Sequence, residues 1–197
     1  VTNVTVENNL VVDNELGSWL IETKNLTFRN NVFINNRGNN IILSNAEPSH
    51  IHEDTLIEHN TFYNTSGVEI YVNYVDGLTV RNNIFDRDSG RVYLQTQPID
   101  NLFFDHNLIY TSEQYPFRIE GLEYDYAGFQ SLGFEQNGIY GSDPIFLDKN
   151  NYDLRLTQQS PAIDSGIDSG IMFDHEYNQR PAGLGFDIGA FEFVGGE

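Results

Sequence analysis

One asparagine recurs at a fixed place inside a repeating phrase. Asn9, Asn31, Asn60, Asn83 and Asn107 sit in NVTVENNLV, NLTFRNNVF, DTLIEHNTF, GLTVRNNIF and NLFFDHNLI, at successive spacings of 22, 29, 23 and 24 residues. A period in the twenties with one apolar-rich strand per repeat marks a solenoid, in which each turn of chain stacks on the last. The inner faces of such a stack fill with side chains. Function must therefore be sought on its outer faces.

Aligned on the asparagine, the repeats resolve into columns that follow strand alternation. Val4, Leu26, Thr55, Leu78 and Leu102 form one inward column, and Val6, Phe28, Ile57, Val80 and Phe104 a second. Val11, Phe33, Phe62, Phe85 and Ile109 form a third, beyond the asparagine. The asparagine sits where the strand bends into the next side of the coil. There its amide can bond the coils above and below and tolerate the turn geometry. A later strand follows in each repeat: SWLIE (18–22), NIILS (40–44), EIYVN (69–73), RVYLQ (91–95) and PFRIE (116–120). Its expected inward pairs are Trp19/Ile21, Ile41/Leu43, Ile70/Val72, Val92/Leu94 and Phe117/Ile119. A short strand is expected between the two. Helical periodicity is absent, and every repeat returns in the same direction, so the strands must pair in parallel. The architecture predicted is a parallel β-helix, all-β, of about five regular coils.

Over residues 1–120 the hydrophobic-x-hydrophobic-x-N/H-N-x-F phrase resembles the right-handed parallel β-helix repeat family, which includes pectate-lyase-like polysaccharide lyases and several glycoside hydrolases. The phrase is specific for fold and poor for function. Residues 121–142 are aromatic and Gly-rich, an excursion rather than a coil. The series DPIFLD, YDLRL, QQSPAIDSG and RPAGLGFDIGAFEF is similar to the closing segment of many bacterial secreted β-helix proteins. Within it Ser160 reads as an N-cap, with Pro161 in the first turn and Gly166 ending a short helical turn. DIGAFEF reads as the last strand, closing the stack. The organisation expected is thus coils over 1–120, with the excursion and closing coils over 121–197 belonging to the same domain. The first residues, VTNVTVENN, already read as a repeat without a cap. A solenoid end needs cover, so further coils or a packing neighbour are expected at the Val1 end.

Composition narrows the partners. Ten Lys+Arg against 29 Asp+Glu give a net charge of −19, which argues against nucleic acid and anionic membranes. No run approaches the length of a membrane span. The charge fits an extracellular setting or calcium binding, and equally a solvated acidic surface. With no cysteine, disulfides, zinc-thiolate sites and cysteine nucleophiles are excluded. The expected location is secreted or cell-surface, in a bacterium.

Chemistry on the outer face has two readings. Glu7, Arg29, Glu58, Arg81 and Asp105 alternate in sign down the first strand. Coils lie about 4.8 Å apart, which would set each arginine between two carboxylates. Structurally this is a charge ladder, each exposed pair worth at most about 1 kcal/mol. In the enzymes the chain resembles, a sugar chain lies along this sheet, where calcium and an arginine or lysine base work. That resemblance implies catalysis by Arg81, Glu58, Asp105, His59 and His106. Glu58 and Asp105, two coils or about 9.6 Å apart, approach the separation used by inverting glycosidases. His59 and His106 replace Asn8, Asn30 and Asn82 of the other repeats, and could serve as bases or mimic the asparagine's bonding. Lysine, used by many uronate lyases, occurs only at 24 and 149.

On the later strand Tyr71 and Tyr93, beside Glu69 and Arg91, read as an outward sugar platform or as ordinary cross-strand packing. Arg29 and Arg91 complete the candidate substrate-binding set. Asp164, Asp168, Asp174 and Asp187 suit either a Ca2+ ion or turns. The insertion NAEPSHIHED (45–54) and residues 121–142 would wall a cleft. The expected function is a carbohydrate-active protein, a polysaccharide lyase or glycoside hydrolase acting on a polysaccharide or glycan. The alternative is a non-catalytic adhesin, stalk or glycan-binding β-helix.

Overall fold

Five coils stack in register, and each gives one strand to each of three parallel sheets. The computed structural model describes residues 1–45, 47 and 51–195. The first sheet runs β1 (Thr2–Glu7), β4 (Lys24–Arg29), β7 (His52–Glu58), β10 (Val75–Arg81) and β13 (Asp100–Asp105). The second runs β2 (Leu10–Val12), β5 (Val32–Ile34), β8 (Thr61–Tyr63), β11 (Ile84–Arg87) and β14 (Leu108–Thr111), and ends on β17 (Ile139–Tyr140) from the excursion. The third runs β3 (Ser18–Leu20), β6 (Ile41–Leu43), β9 (Ile70–Val72), β12 (Tyr93–Gln95) and β15 (Phe117–Ile119), and is closed by the antiparallel β16 (Leu122–Tyr124). This is the right-handed parallel β-helix expected. Among the described residues no helix is long and apolar enough to cross a membrane.

The inward columns pair as the alternation predicts. Leu26, Thr55, Leu78 and Leu102 are in register, as are Phe28, Ile57, Val80 and Phe104. Phe33, Phe62 and Phe85 stack with ring centroids 5.0 Å apart at each step. At the far end the helix α1 (Tyr126–Ser131), capped by Asp125 accepting from the Gly128 amide at 2.7 Å, drives Phe129 over the core. Phe129 stacks on Phe117 at 3.9 Å. Thr55 is the polar exception in its column: it is buried, and its Oγ1 has no hydrogen-bond partner among the described residues. An orphaned buried hydroxyl costs about 1–3 kcal/mol. Thr55→Val should therefore raise the urea midpoint by about 1 kcal/mol of stability. A lower midpoint would show that the hydroxyl is satisfied.

The asparagine ladder forms as expected, and it is directional. The Oδ1 of Asn31 accepts from both the main-chain N and Nδ2 of Asn9, at 3.1 and 2.9 Å. The step repeats from Asn31 to Asn60 (3.0 and 2.9 Å), Asn60 to Asn83 (2.9 and 3.0 Å) and Asn83 to Asn107 (2.9 and 3.0 Å). Just before it, Asn8, Asn30, His59, Asn82 and His106 all adopt left-handed backbone, with φ of 57°, 53°, 52°, 56° and 58°. Asparagine and histidine are among the residues that enter this region most readily. The two histidines are therefore placed where the turn, by itself, accepts them.

On the third sheet the strand phase differs from expectation in two coils, although Val92 is buried in the core as expected. The inward columns are Ser18, Ile41, Ile70, Tyr93, Phe117 and Leu20, Leu43, Val72, Gln95, Ile119. Trp19, Ile42, Tyr71, Leu94 and Arg118 therefore face outward, and Trp19 and Ile21 are exposed. In RVYLQ either phase buries an apolar residue, and a slip of one residue exchanges the faces. The inner phase of β12 is satisfied because the Tyr93 hydroxyl donates to Gln95 Oε1 at 3.0 Å, so both polar tips are paired inside.

The C-terminal segment also differs. DIGAFEF (187–193) is not a strand and does not extend the stack. The antiparallel pair β18 (Phe146–Asp148) and β19 (Asp153–Leu156) begins a cover over the outside of the second sheet, pinned by Lys149 Nζ to Asp86 at 2.8 Å. Residues 158–195 then continue back along the coils as an arm. Ile188, Ala190 and Phe191 pack with Val32, Ile34, Ile84 and Leu108, while the Gly189 amide donates to the Asn82 carbonyl at 2.8 Å. The second-sheet strands are apolar on both faces, as buried parallel strands are, and such a sheet needs a cover. Ser160 Oγ does accept from the Ala162 amide, at 3.3 Å, but the segment is a turn and not a helix.

Candidate functional site

Along the first sheet, Glu7, Arg29, Glu58, Arg81 and Asp105 lie in the register expected. Their charges resolve into pairs instead of a continuous ladder. Arg29 Nε meets Glu7 Oε2 at 2.6 Å, and Arg81 places Nε and Nη2 on Glu58 Oε2 at 2.9 and 2.8 Å. Asp105 bonds no arginine. Its oxygens accept from the Asn137 amide and Nδ2, both at 2.8 Å, and from the His106 amide. Asn137 of the excursion thus holds Asp105, and each arginine, flanked by two carboxylates in register as expected, bonds one of them. Burial, opposed mainly by Arg81, pushes the Glu58 carboxyl upward. Only 2% of Glu58 is exposed, whereas the Arg81 side chain that covers it stays partly open to solvent.

The C-terminal arm crosses the turn that carries the histidines. His59 is fully buried, with Nε2 2.9 Å from Ser169 Oγ and 3.0 Å from Asn82 Nδ2. Burial first, then the positive charges of Arg180 and Arg81, hold its pKa well below the usual histidine range. It is a neutral ring inside a hydrogen-bond network. His106 lies beside its neighbour Asp105, Nδ1 to Oδ2 at 3.5 Å. The expected catalytic residues therefore do converge on one strip, but their polar atoms are turned mostly toward one another and toward the arm.

The expected sugar platform is not assembled. Tyr71 is outward and half-buried, whereas Tyr93 is inside the core, so the two do not stack outward. Their neighbours are also engaged: Arg91 ion-pairs with Glu123, and Glu69 is fully buried against Arg87. The four aspartates expected at calcium are dispersed among turns. Asp164 accepts from the Gly185 amide, Asp168 from Gly170, Asp174 from Glu176 and Asn178, and Asp187 from Asp164 and Phe193. Burial pushes Asp187 up to about 6. Part of the insertion at 45–54 lies outside the described residues, so its role as a cleft wall is not described.

Three buried ionisable clusters were not expected, although the sequence sets Glu69 beside the tyrosines. Arg87 and Glu69 pair at 3.0 Å with neither side chain exposed. Arg180 and Glu192 pair at 2.6 Å, also unexposed, and hold the arm to its own C-terminal end. Glu135, from the excursion, receives the last rung of the ladder through Asn107 Nδ2 at 2.5 Å. Repeats exposed the column positions, but each of these residues acts outside the repeated phrase.

The pattern that defines a family described as periplasmic copper-binding protein (NosD) matches residues 2–114. The chain belongs to the NosD family. The match covers the coils and stops before the excursion and the arm, so NosD membership accounts for the stack and not for Glu135, Ser169 or Arg180. The family's described location, the periplasm, agrees with the expected export to the cell envelope but not specifically with the cell surface. No curated protein and no solved structure matches the chain.

Proposed function

We propose that this chain is a non-catalytic β-helix of the cell envelope, a rigid binding module or stalk, rather than a polysaccharide lyase or glycoside hydrolase. One observation carries the reading: Glu58, Arg81, Asp105 and His59, expected to act on substrate, spend their polar contacts on protein groups and are largely covered. An inverting or retaining hydrolase needs two carboxyl groups open to the sugar. Here one is buried beneath Arg81 and the other is tied to Asn137.

The family's description names copper, which sets a demand on the side chains present. Copper draws on thiolate, thioether and imidazole. The chain has no cysteine and one methionine, Met172, on the surface. Among the described histidines, His52 Nδ1 is bonded to Thr23, His59 Nε2 to Ser169 and His175 Nδ1 to the Asn30 carbonyl, while His52 Nε2, His59 Nδ1 and His106 Nδ1 have no hydrogen-bond partner but are covered. No group of three or more His, Asp or Glu side chains among the described residues is placed to hold a metal ion. These residues do not fit copper, and no copper chemistry enters the reading.

The test is a panel of uronate-containing and neutral polysaccharides, read separately for unsaturated ends by ultraviolet absorbance and for new reducing ends. Neither product is expected. Arg81→Lys, which loses the two-nitrogen contact to Glu58, should instead lower stability by about 1 kcal/mol. Cleavage that Arg81→Lys abolishes and Arg29→Lys leaves intact would restore the enzymatic reading.

A further inference from the structure

The left-handed column Asn8, Asn30, His59, Asn82 and His106 repeats one backbone geometry from coil to coil, so its side chains project alike. The arm docks on the three middle positions as an irregular chain, with a turn at Asp168–Gly170. Asn82 takes both main-chain groups of Ile167, donating from Nδ2 to its carbonyl at 2.7 Å and accepting its amide at Oδ1 at 2.9 Å. His59 holds Ser169, and Asn30 Nδ2 donates to the Phe173 carbonyl at 2.8 Å. The asparagines of this column are thus main-chain readers. The next position toward β1 is Asn8, and there the arm turns away. Asn8 Oδ1 is buried and has no hydrogen-bond partner among the described residues.

Beside Asn8 lies a cleft of about 270 Å³ between the coils and the arm. One wall is the Glu7–Arg29 pair, and the other is Met172, Phe173 and Tyr177. These three are 68%, 48% and 72% exposed, a concentration of apolar surface on an otherwise acidic chain. Peptide-binding grooves combine main-chain hydrogen bonds for affinity with side-chain pockets for selection, and methionine adapts to varied apolar partners.

We infer that the Asn8 cleft docks a peptide segment of a partner protein, an apolar side chain resting on Met172, Phe173 and Tyr177 and a main-chain amide meeting the Asn8 side chain, whose covered and unpartnered Oδ1 turns into the cleft to accept it. Main-chain recognition is the mode by which Asn30 and Asn82 already hold the arm, and the cleft continues that interface by one coil. The net charge of −19 favours a segment carrying lysine or arginine. The inference deepens the binding-module reading and rests on it, naming the class of partner.

The probe is a fluorescein-labelled peptide of the arm's own docking sequence, GIDSGIMF, followed by two lysines, titrated against the full chain by anisotropy. Saturable binding is expected, weakened about tenfold or more by Asn8→Ala. Met172→Glu, at an exposed position, should weaken it as much while leaving the melting temperature unchanged, and so guards against an Asn8 variant that misfolds. Asn64→Ala, at another exposed turn, should leave it unchanged. Absence of saturable binding, or binding indifferent to both Asn8 and Met172, overturns the inference. Loss on Asn82→Ala alone would mean that the peptide merely displaces the arm, which also overturns it. A neutral or uronate oligosaccharide that binds in the Asn8-dependent manner instead would assign the cleft to glycan. None of these outcomes alters the polysaccharide-cleavage assay, so failure here is distinguishable from failure of the non-catalytic reading.

Discussion

Arg87→Met should cost about 3–5 kcal/mol, the loss expected when one member of a buried ion pair is removed. Arg87 leaves the second sheet at the end of β11 and turns fully inside the corner. All three of its nitrogens are used. Nε donates to the Ser89 carbonyl at 2.7 Å, Nη1 to Glu69 Oε1 and the Arg91 carbonyl at 3.0 and 2.8 Å, and Nη2 to the Thr65 and Gly67 carbonyls at 2.9 and 2.7 Å. Glu69 is held in turn by Asn40, which also donates to Thr65 Oγ1 at 2.7 Å. Burial alone pushes Glu69 up and Arg87 down, and each opposes that shift in the other. Guanidinium keeps its proton in proteins, so Arg87 stays charged beside the Glu69 carboxyl. Methionine fills the space yet strands a carboxyl and four carbonyls. Against a typical total of about 5–15 kcal/mol, the variant should melt far below the parent or fail to fold. Adding Glu69→Gln removes the stranded charge and should recover part of the loss in a double-mutant cycle. An Arg87→Met protein with an unshifted urea midpoint would mean that the corner is wet and the pair exposed.

How far the sequence could reach is visible in particular residues. The columns of the first and second sheets were legible because their strands alternate unambiguously and are fixed by an asparagine at one end. Val80 and Phe85 could point only one way. Tyr93 was not legible. In RVYLQ both phases are apolar, and what decides is a hydrogen bond to Gln95 inside the core, which composition does not announce. Trp19 shows the converse, a large apolar residue left outward on the first coil because register with β6 requires Ser18 inside.

The outer strip was legible as a row of charges but not as an occupied one. Alternating signs at Glu7, Arg29, Glu58, Arg81 and Asp105 fixed who could meet whom. Whether the strip lies open to solvent depends on a segment more than 50 residues away from the coils it covers: Ile167 reaches Asn82 from 85 residues on, and Ser169 reaches His59 from 110. No periodicity carries such a contact. The histidines illustrate the same limit. Their rarity in the column suggested chemistry, whereas the left-handed turn at 52° and 58° gives a local reason for that residue type.

Raising the pH from 4.5 to 8 should drain stability from this protein through the carboxyl of Glu135. Every rung of the ladder hands two N–H groups to the next asparagine, and Asn107 has no sixth asparagine to receive its own. Glu135 takes that place, with Oε1 2.5 Å from Asn107 Nδ2 and Oε2 3.4 Å from its amide. Its own amide donates to the Phe104 carbonyl at 2.8 Å, and its carbonyl accepts from Tyr126 and Gln130, so the side chain is fixed under the end of the stack. Burial pushes this carboxyl from 4.5 up to about 8, with Asp105 adding to the rise and the two donors of Asn107 opposing it.

The sign follows from which state holds the proton. Between 4.5 and about 8 the unfolded chain has lost it and the folded one has kept it, so stability is full below 4.5 and falls until pH passes about 8. At 1.36 kcal/mol per pH unit the whole window is worth on the order of 5 kcal/mol. Other groups titrate across it. His52, held down to about 4 by burial, contributes in the opposite direction as pH rises from 4 to 6.5, and Asp187 at about 6 in the same direction as Glu135. Glu135→Gln isolates the one group, because glutamine copies the protonated carboxyl and still offers Oε1 to Asn107. The two proteins should have similar urea midpoints at pH 4.5 and diverge steadily, with the glutamine variant the more stable at pH 8. Parallel curves across that range would mean that Glu135 is ionised in the fold and that its negative charge, accepting both Asn107 donors, is what ends the ladder.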